Sequence, residues 1–99
     1  MNYRRLFIPN AIIFITFVTF ERKEILLSNI DLLRKAFIQT KQKYKFDIIA
    51  ICVLKNHVHM LIKPDNINEY PFIIRNIKRE FSINFDTQQI HNYFESESL

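Results

Sequence analysis

Glycine is absent from this 99-residue chain, and tryptophan with it. Without glycine there is no phosphate-cradling loop of the P-loop or dinucleotide-binding kind, so the usual nucleotide-binding fingerprints are excluded. Every turn falls to Asn, Asp, Pro or Lys. A single cysteine, Cys52, rules out an internal disulfide and a zinc site built on several thiolates. It sits in an apolar run and is expected as a buried, inert thiol. No apolar run is long enough to span a bilayer: residues 11–20 (AIIFITFVTF) make ten, broken by Thr16 and Thr19. Arg4 and Arg5 precede that run, but no small-residue cleavage site follows. The chain therefore reads as cytoplasmic, with no membrane partner.

What is present points to a globular domain. The hydrophobic fraction is 48%, and ten residues are Phe. The length suits one domain, residues 1–99, near the lower limit for a self-sufficient core. The net charge is +4, unevenly placed. Residues 1–85 hold all 14 Lys and Arg, while residues 86–99 carry Asp86, Glu95 and Glu97 and no base. A basic body with an acidic tail favours polyanions through phosphate neutralisation.

Periodicity gives the order of elements. Residues 11–20 are β-branched and aromatic, the composition of a strand buried on both faces. Residues 29–44 read as a helix, with Ser28 and Asp31 spaced as a capping box and Ile30, Leu33, Phe37 and Tyr44 on one stripe. Residues 46–54 (FDIIAICVL) and 57–63 read as strands joined by a Lys55-Asn56 turn, hence an antiparallel hairpin. Pro71 fits the first turn of a second helix reaching about residue 85, with Ile74, Ile77, Phe81 and Phe85 inside. Residues 88–95 form a candidate short fourth strand, so residues 86–99 are an acidic tail or a partial last strand. The order β-α-β-β-α-(β) implies an α+β, ferredoxin-like antiparallel sheet with two helices on one face. The other face is then open.

Chemistry concentrates at the second strand of the hairpin. Alternation puts His57, His59, Leu61 and Lys63 on one face and the apolar Val58, Met60 and Ile62 on the other. The apolar set belongs under the helices, so the histidines point to the open face. Imidazoles two residues apart lie about 6–7 Å apart along a strand, and their rings can converge on one divalent ion.

The segment Lys55-Asn56-His57-Val58-His59-Met60-Leu61-Ile62 resembles the P-N-H-V-H-L-L-I signature of single-tyrosine HUH transposases, in particular the REP-associated tyrosine transposases. Further stretches are similar. Residues 3–9 (YRRLFIP) resemble that family's N-terminus, and residues 14–22 (FITFVTFER) its first-strand motif F-F-T-x-x-T-x-x-R. Residues 44–48 (YKFDI) resemble the entry to its second strand. Residues 77–82 (IKREFS) are similar to its second helix, I-K-S-x-F-S. The resemblance covers about residues 3–85. Lys55 departs from it, standing where Pro is usual.

The resemblance implies a ferredoxin-like domain that binds Mg²⁺ or Mn²⁺ through His57 and His59. It implies nicking of single-stranded, hairpin-marked DNA through a phosphotyrosine, by a homodimer with shared active sites. It also implies a nucleophilic Tyr and a third metal ligand on a helix beyond the fourth strand, in a segment like Y-I-x-x-N-P-V. Nothing of that kind follows Asp86, so the expectation is a version that stops before the catalytic helix, with doubtful competence. Tyr93 is the tail's tyrosine and the only substitute nucleophile, although a packed ring is its plainer role. Tyr3, Tyr44 and Tyr70 read as structural, and His91 as a surface side chain. Arg75, Lys78 and Arg79 on the second helix, with Ser82 one turn on, form a candidate phosphate track. Lys55 and Lys63 flank the histidines in the same capacity. Lys41, Lys43 and Lys45 make a second cluster. Two other classes remain open: an inactive DNA-binding or dimerisation remnant, and a metal-dependent hydrolase using bound water.

Overall fold

The structure, a computed structural model, describes residues 11–86 and 93–95. The N-terminal stretch at residues 3–9, His91 and most of the expected last strand lie outside the described residues. Five main elements run β1 (Ile13–Val18), α1 (Ile30–Lys43), β2 (Phe46–Val53), β3 (His57–Pro64) and α2 (Tyr70–Phe85). Short 3-10 turns at Phe20–Arg22, Leu27–Asn29 and Ile67–Glu69 connect them.

The strands form an antiparallel sheet in the order β1-β3-β2. β3 is central and explains the arrangement. Its Val58, Met60 and Ile62 are fully or almost fully buried, each worth about 1.5–3 kcal/mol of apolar burial. On β1, Ile13, Ile15 and Phe17 join the same side. Against them lie Leu33 and Ala36 of α1 and Ile73, Ile74, Ile77 and Phe81 of α2. The two helices also meet through polar groups. Buried Thr40 Oγ1 donates to Ala36 O at 2.8 Å and contacts Asn76 Oδ1 at 3.0 Å, and Asn84 Nδ2 donates to Gln39 Oε1 at 2.9 Å. Lys43 pairs with Glu80 at 3.9 Å.

Both helices cover one face, so β1 alternates buried and exposed instead of being buried on both sides as its composition suggests. Of the apolar residues on its second face, Phe14 stands in solvent and Val18 is half-buried. The expected capping box at Ser28 does not form. Asn29 holds the N-cap position without a side-chain cap bond, and Asp31 instead meets Arg34 at 3.3 Å. The 3-10 turn Leu27–Asn29 winds directly into the helix, so Ser28 is already inside a turn and cannot cap.

The tail closes the other side of β1. Thr19 and Phe94 form an antiparallel bridge, with Phe20 N on Tyr93 O and Glu95 N on Val18 O, both at 2.8 Å. Phe94 is fully buried, edge-on to Phe17 and Phe81 with ring centroids 5.4 and 5.6 Å away. Among the described residues, the tail contributes a bridge at Phe94 anchored by its ring in the core. Without glycine, the reversal after β1 is made by Glu21 and Arg22, with φ of 55° and 57°. The left-handed region costs an ordinary residue about 1–2 kcal/mol. Arg22 N on Thr19 O at 3.1 Å and Lys23 N on Phe20 O at 3.3 Å hold the turn closed.

Candidate metal and nucleic-acid site

The β2–β3 link sets the start of the site. Leu54 N donates to His57 O at 2.9 Å across the two residues Lys55 and Asn56. Neither has a positive φ, so this is not the mirror-image turn that usually closes a two-residue hairpin. The loop after β1 supports it. Thr19 N donates to Asn56 O at 2.9 Å and Leu26 N to Lys55 O at 3.0 Å. Thr19, fully buried, adds its hydroxyl, 3.1 Å from Asn56 O and 2.8 Å from Lys23 O.

From this held turn β3 sends His57 and His59 to the open face, both half-buried. Their rings stand perpendicular with centroids 4.8 Å apart. Each Nδ1 already has a partner. His57 Nδ1 lies 2.7 Å from Asn56 Oδ1, and His59 Nδ1 lies 2.9 Å from Thr16 Oγ1 across the β1–β3 ladder. An amide oxygen only accepts, so the Asn56 contact places the proton of a neutral His57 on Nδ1 and leaves the Nε2 lone pair for a ligand. Thr16 occupies Nδ1 of His59, but a hydroxyl both donates and accepts, so this contact orients the ring without fixing its proton. Partners on the far ring nitrogen are what orient metal-binding imidazoles in general.

Cross-strand register defines the rest of this face. Thr16 and Cys52 flank His59, Phe14 and Ala50 flank Leu61, and Asp47 faces Lys63. A bulge between Ile48 and Ala50 shifts the register of β2. Cys52 is exposed, contrary to its expected burial. The bulge and the one-sided helix layer put its alternating set on the open face. Among the described residues, no group of three or more His, Cys, Asp or Glu is placed to hold a metal ion.

The cationic candidates divide between two places. Lys55, exposed in the turn, and Lys63, half-buried at the far end of β3, belong to the histidine arm. Arg75, Lys78 and Arg79 lie on α2, in the layer on the other side of the sheet. The Arg75 guanidinium sits 5.5 Å over Phe72, the Lys78 ammonium 5.8 Å over Phe17, and Arg79 lies 4.0 Å from Glu80. Ser82 does not extend this track: it is buried, and its hydroxyl donates to Lys78 O at 2.8 Å. Helical spacing brings position 82 back to the inner stripe beside Phe81. In the second cluster, Lys41 stands 5.5 Å over Phe46.

Tyr93 is not gathered with the histidines. Its ring packs edge-on against Phe85 at 5.1 Å, and its hydroxyl donates to Asp86 Oδ2 at 2.8 Å. That hydrogen bond, with burial and the Asp86 charge behind it, raises the phenol above its ordinary pKa of 10.0. Sequence reasoning missed Asn56, Thr16 and Thr19 as supports of the pair. The signal was present, since Thr16 and Thr19 are the two threonines of the first-strand motif.

The fold is an α+β domain of a three-stranded antiparallel sheet with two helices on one face and a histidine pair on the other. The match to known proteins gives it a family. Residues 8–97 match the family described as "Transposase IS200 like", and the chain belongs to that family. It is 37% identical over 83 residues to a Haemophilus influenzae protein bearing the name of a REP-associated tyrosine transposase, covering 82% of this chain and 47% of that protein. The fold superposes with a TM-score of 0.81 on a REP-associated tyrosine transposase solved bound to a REP hairpin. That likeness, at 25% identity, covers 98% of this chain and 58% of the other. The chain thus spans about half the length of the relatives it matches. No helix among the described residues is long and apolar enough to cross a membrane.

Proposed function

We propose that this domain binds single-stranded or hairpin DNA and presents a phosphodiester to the His57–His59 pair, for metal-dependent nicking and transfer of the transposase kind. One observation carries the reading: two imidazoles 4.8 Å apart on the open sheet face, each with Nδ1 engaged. The Asn56 contact leaves Nε2 of His57 as a donor for an ion, and Nε2 of His59 is the second donor when Thr16 accepts from Nδ1. Two neutral nitrogens make a loose site for Mg²⁺ or Mn²⁺, which phosphate oxygens and water would complete. When bound, such an ion neutralises charge on the phosphate. Family membership and the hairpin-bound relative support DNA as the ligand.

Lys55 and Lys63 hold phosphates at the two ends of the histidine arm. Arg75, Lys78 and Arg79 offer a second track on α2. Tyr93, which lies apart from the histidines with its hydroxyl on Asp86, is the candidate nucleophile that the nicking assay puts to the test. The functional unit is a homodimer.

A nicking assay on a hairpin oligonucleotide with Mn²⁺, comparing wild type with Tyr93→Phe, tests the reading. A covalent protein–DNA adduct lost in Tyr93→Phe supports tyrosine chemistry. Cleavage that persists without an adduct assigns the attack to bound water. Binding without cleavage in either protein leaves a DNA-binding domain, and no binding to either DNA form refutes the proposal.

A further inference from the structure

Phe14 is the most exposed large apolar side chain among the described residues, at 65%. It is the second residue of β1, with no helix above it among the described residues. Its ring lies nearly parallel to His59, 11° between planes and 5.9 Å between centroids. Thr16, two residues on, bonds Nδ1 of the same imidazole. One strand therefore addresses both the face and the edge of His59. Across the ladder, Phe14 sits opposite Leu61, and Leu61 opposite the small Ala50, which leaves the surface beside the ring low. Solvent exposure of a Phe on a pleated sheet has no folding benefit. An aromatic face beside a phosphate-binding pair, on an arm with Lys55 and Lys63, matches the chemistry of an unpaired nucleotide, which joins a π-face to an anion.

We propose that Phe14 is a base-stacking platform, taking one unpaired base next to the phosphodiester held by His57 and His59. The inference rests on the single-strand reading above and adds to it the residue that grips the strand. Stacking tolerates any base, because every base offers a π-face. Phe14 therefore supplies affinity and strand placement, not sequence preference. It also favours a single strand over a duplex at this spot, since paired bases keep their faces inside the helix.

The test uses the full chain and a fluorescent hairpin with a single-stranded flank, read by anisotropy. An abasic nucleotide is walked along the flank one position at a time. At one position the wild type is expected to lose roughly 5- to 100-fold in affinity, the effect of one stacked base. Phe14→Ala should show that same loss on the intact flank and no further loss at that abasic position, while Phe14→Trp restores binding. If Phe14→Ala binds the intact flank as the wild type does, or weakens every oligonucleotide equally, the platform is refuted. Wild type that binds no flank at all sinks the broader reading, whereas wild type that binds while Phe14→Ala is indifferent sinks this inference alone.

Discussion

Asn56→Ala separates the support of the histidine pair from the pair itself. The Asn56 side chain meets His57 Nδ1 at 2.7 Å, whereas its backbone carbonyl receives Thr19 N and lies 3.1 Å from the Thr19 hydroxyl. Alanine removes the first of these and keeps the second, so the turn survives. His57 then loses the acceptor that fixes its proton on Nδ1, and the ring rotates and changes tautomer freely. Losing such a support weakens metal binding by about 10- to 100-fold, or roughly 1.4–2.7 kcal/mol. Fold stability should change by less, about 0.5–1.5 kcal/mol, the net worth of one half-exposed hydrogen bond. Isothermal titration with Mn²⁺ reads the first quantity and urea unfolding the second. Thr16→Val is the matching change at His59 and should act in the same direction. If Asn56→Ala binds Mn²⁺ as the wild type does, the partner on Nδ1 does not prepare His57 for an ion.

Phe94→Ala empties the space between Phe17 and Phe81 and should destabilise the domain by about 3–5 kcal/mol, a large share of the roughly 5–15 kcal/mol typical of a domain; thermal or urea unfolding close to that of wild type would show that the tail anchor is dispensable. Single-strand binding should weaken with salt, and replacing Arg75, Lys78 and Arg79 with Ala should lower the log–log slope by about 0.7 for each phosphate no longer neutralised; an unchanged slope would mean that α2 faces only water. Ile49 and Ile51 expose 50% and 42% of their surface on β2, an edge strand among those described, so sedimentation at micromolar concentration should give a homodimer without DNA or metal, split by Ile51→Lys; a single species at the 12.0 kDa monomer mass would contradict this.

The central hairpin and both helices were legible because their patterns are unambiguous. Val58, Met60 and Ile62 alternate with His57, His59 and Leu61, which fixes the faces of β3. Pro71 marks the start of α2. β1 misled on burial, since Ile, Phe and Val on both alternating sets look the same whether one face or two are covered. Phe14 lies on its open side and is 65% exposed. Cys52 was misplaced for the same cause, compounded by a bulge no local pattern announces. Of the candidate fourth strand at residues 88–95, residues 93–95 are described, and there Phe94 bridges Thr19 with its ring in the core. The first-strand motif carried Thr16 and Thr19, but their contacts with the site were not readable from it: Thr19 and Asn56 stand 37 positions apart and meet only once the chain between them has folded.

Mn²⁺ titration of wild type beside the His57→Ala/His59→Ala double variant, with a flanked hairpin oligonucleotide present, tests the central claim most directly. The account predicts saturable Mn²⁺ binding by the wild type that tightens when DNA is added, since phosphate completes the coordination, and neither effect in the double variant. Equal Mn²⁺ binding by the two proteins, with and without DNA, would contradict it.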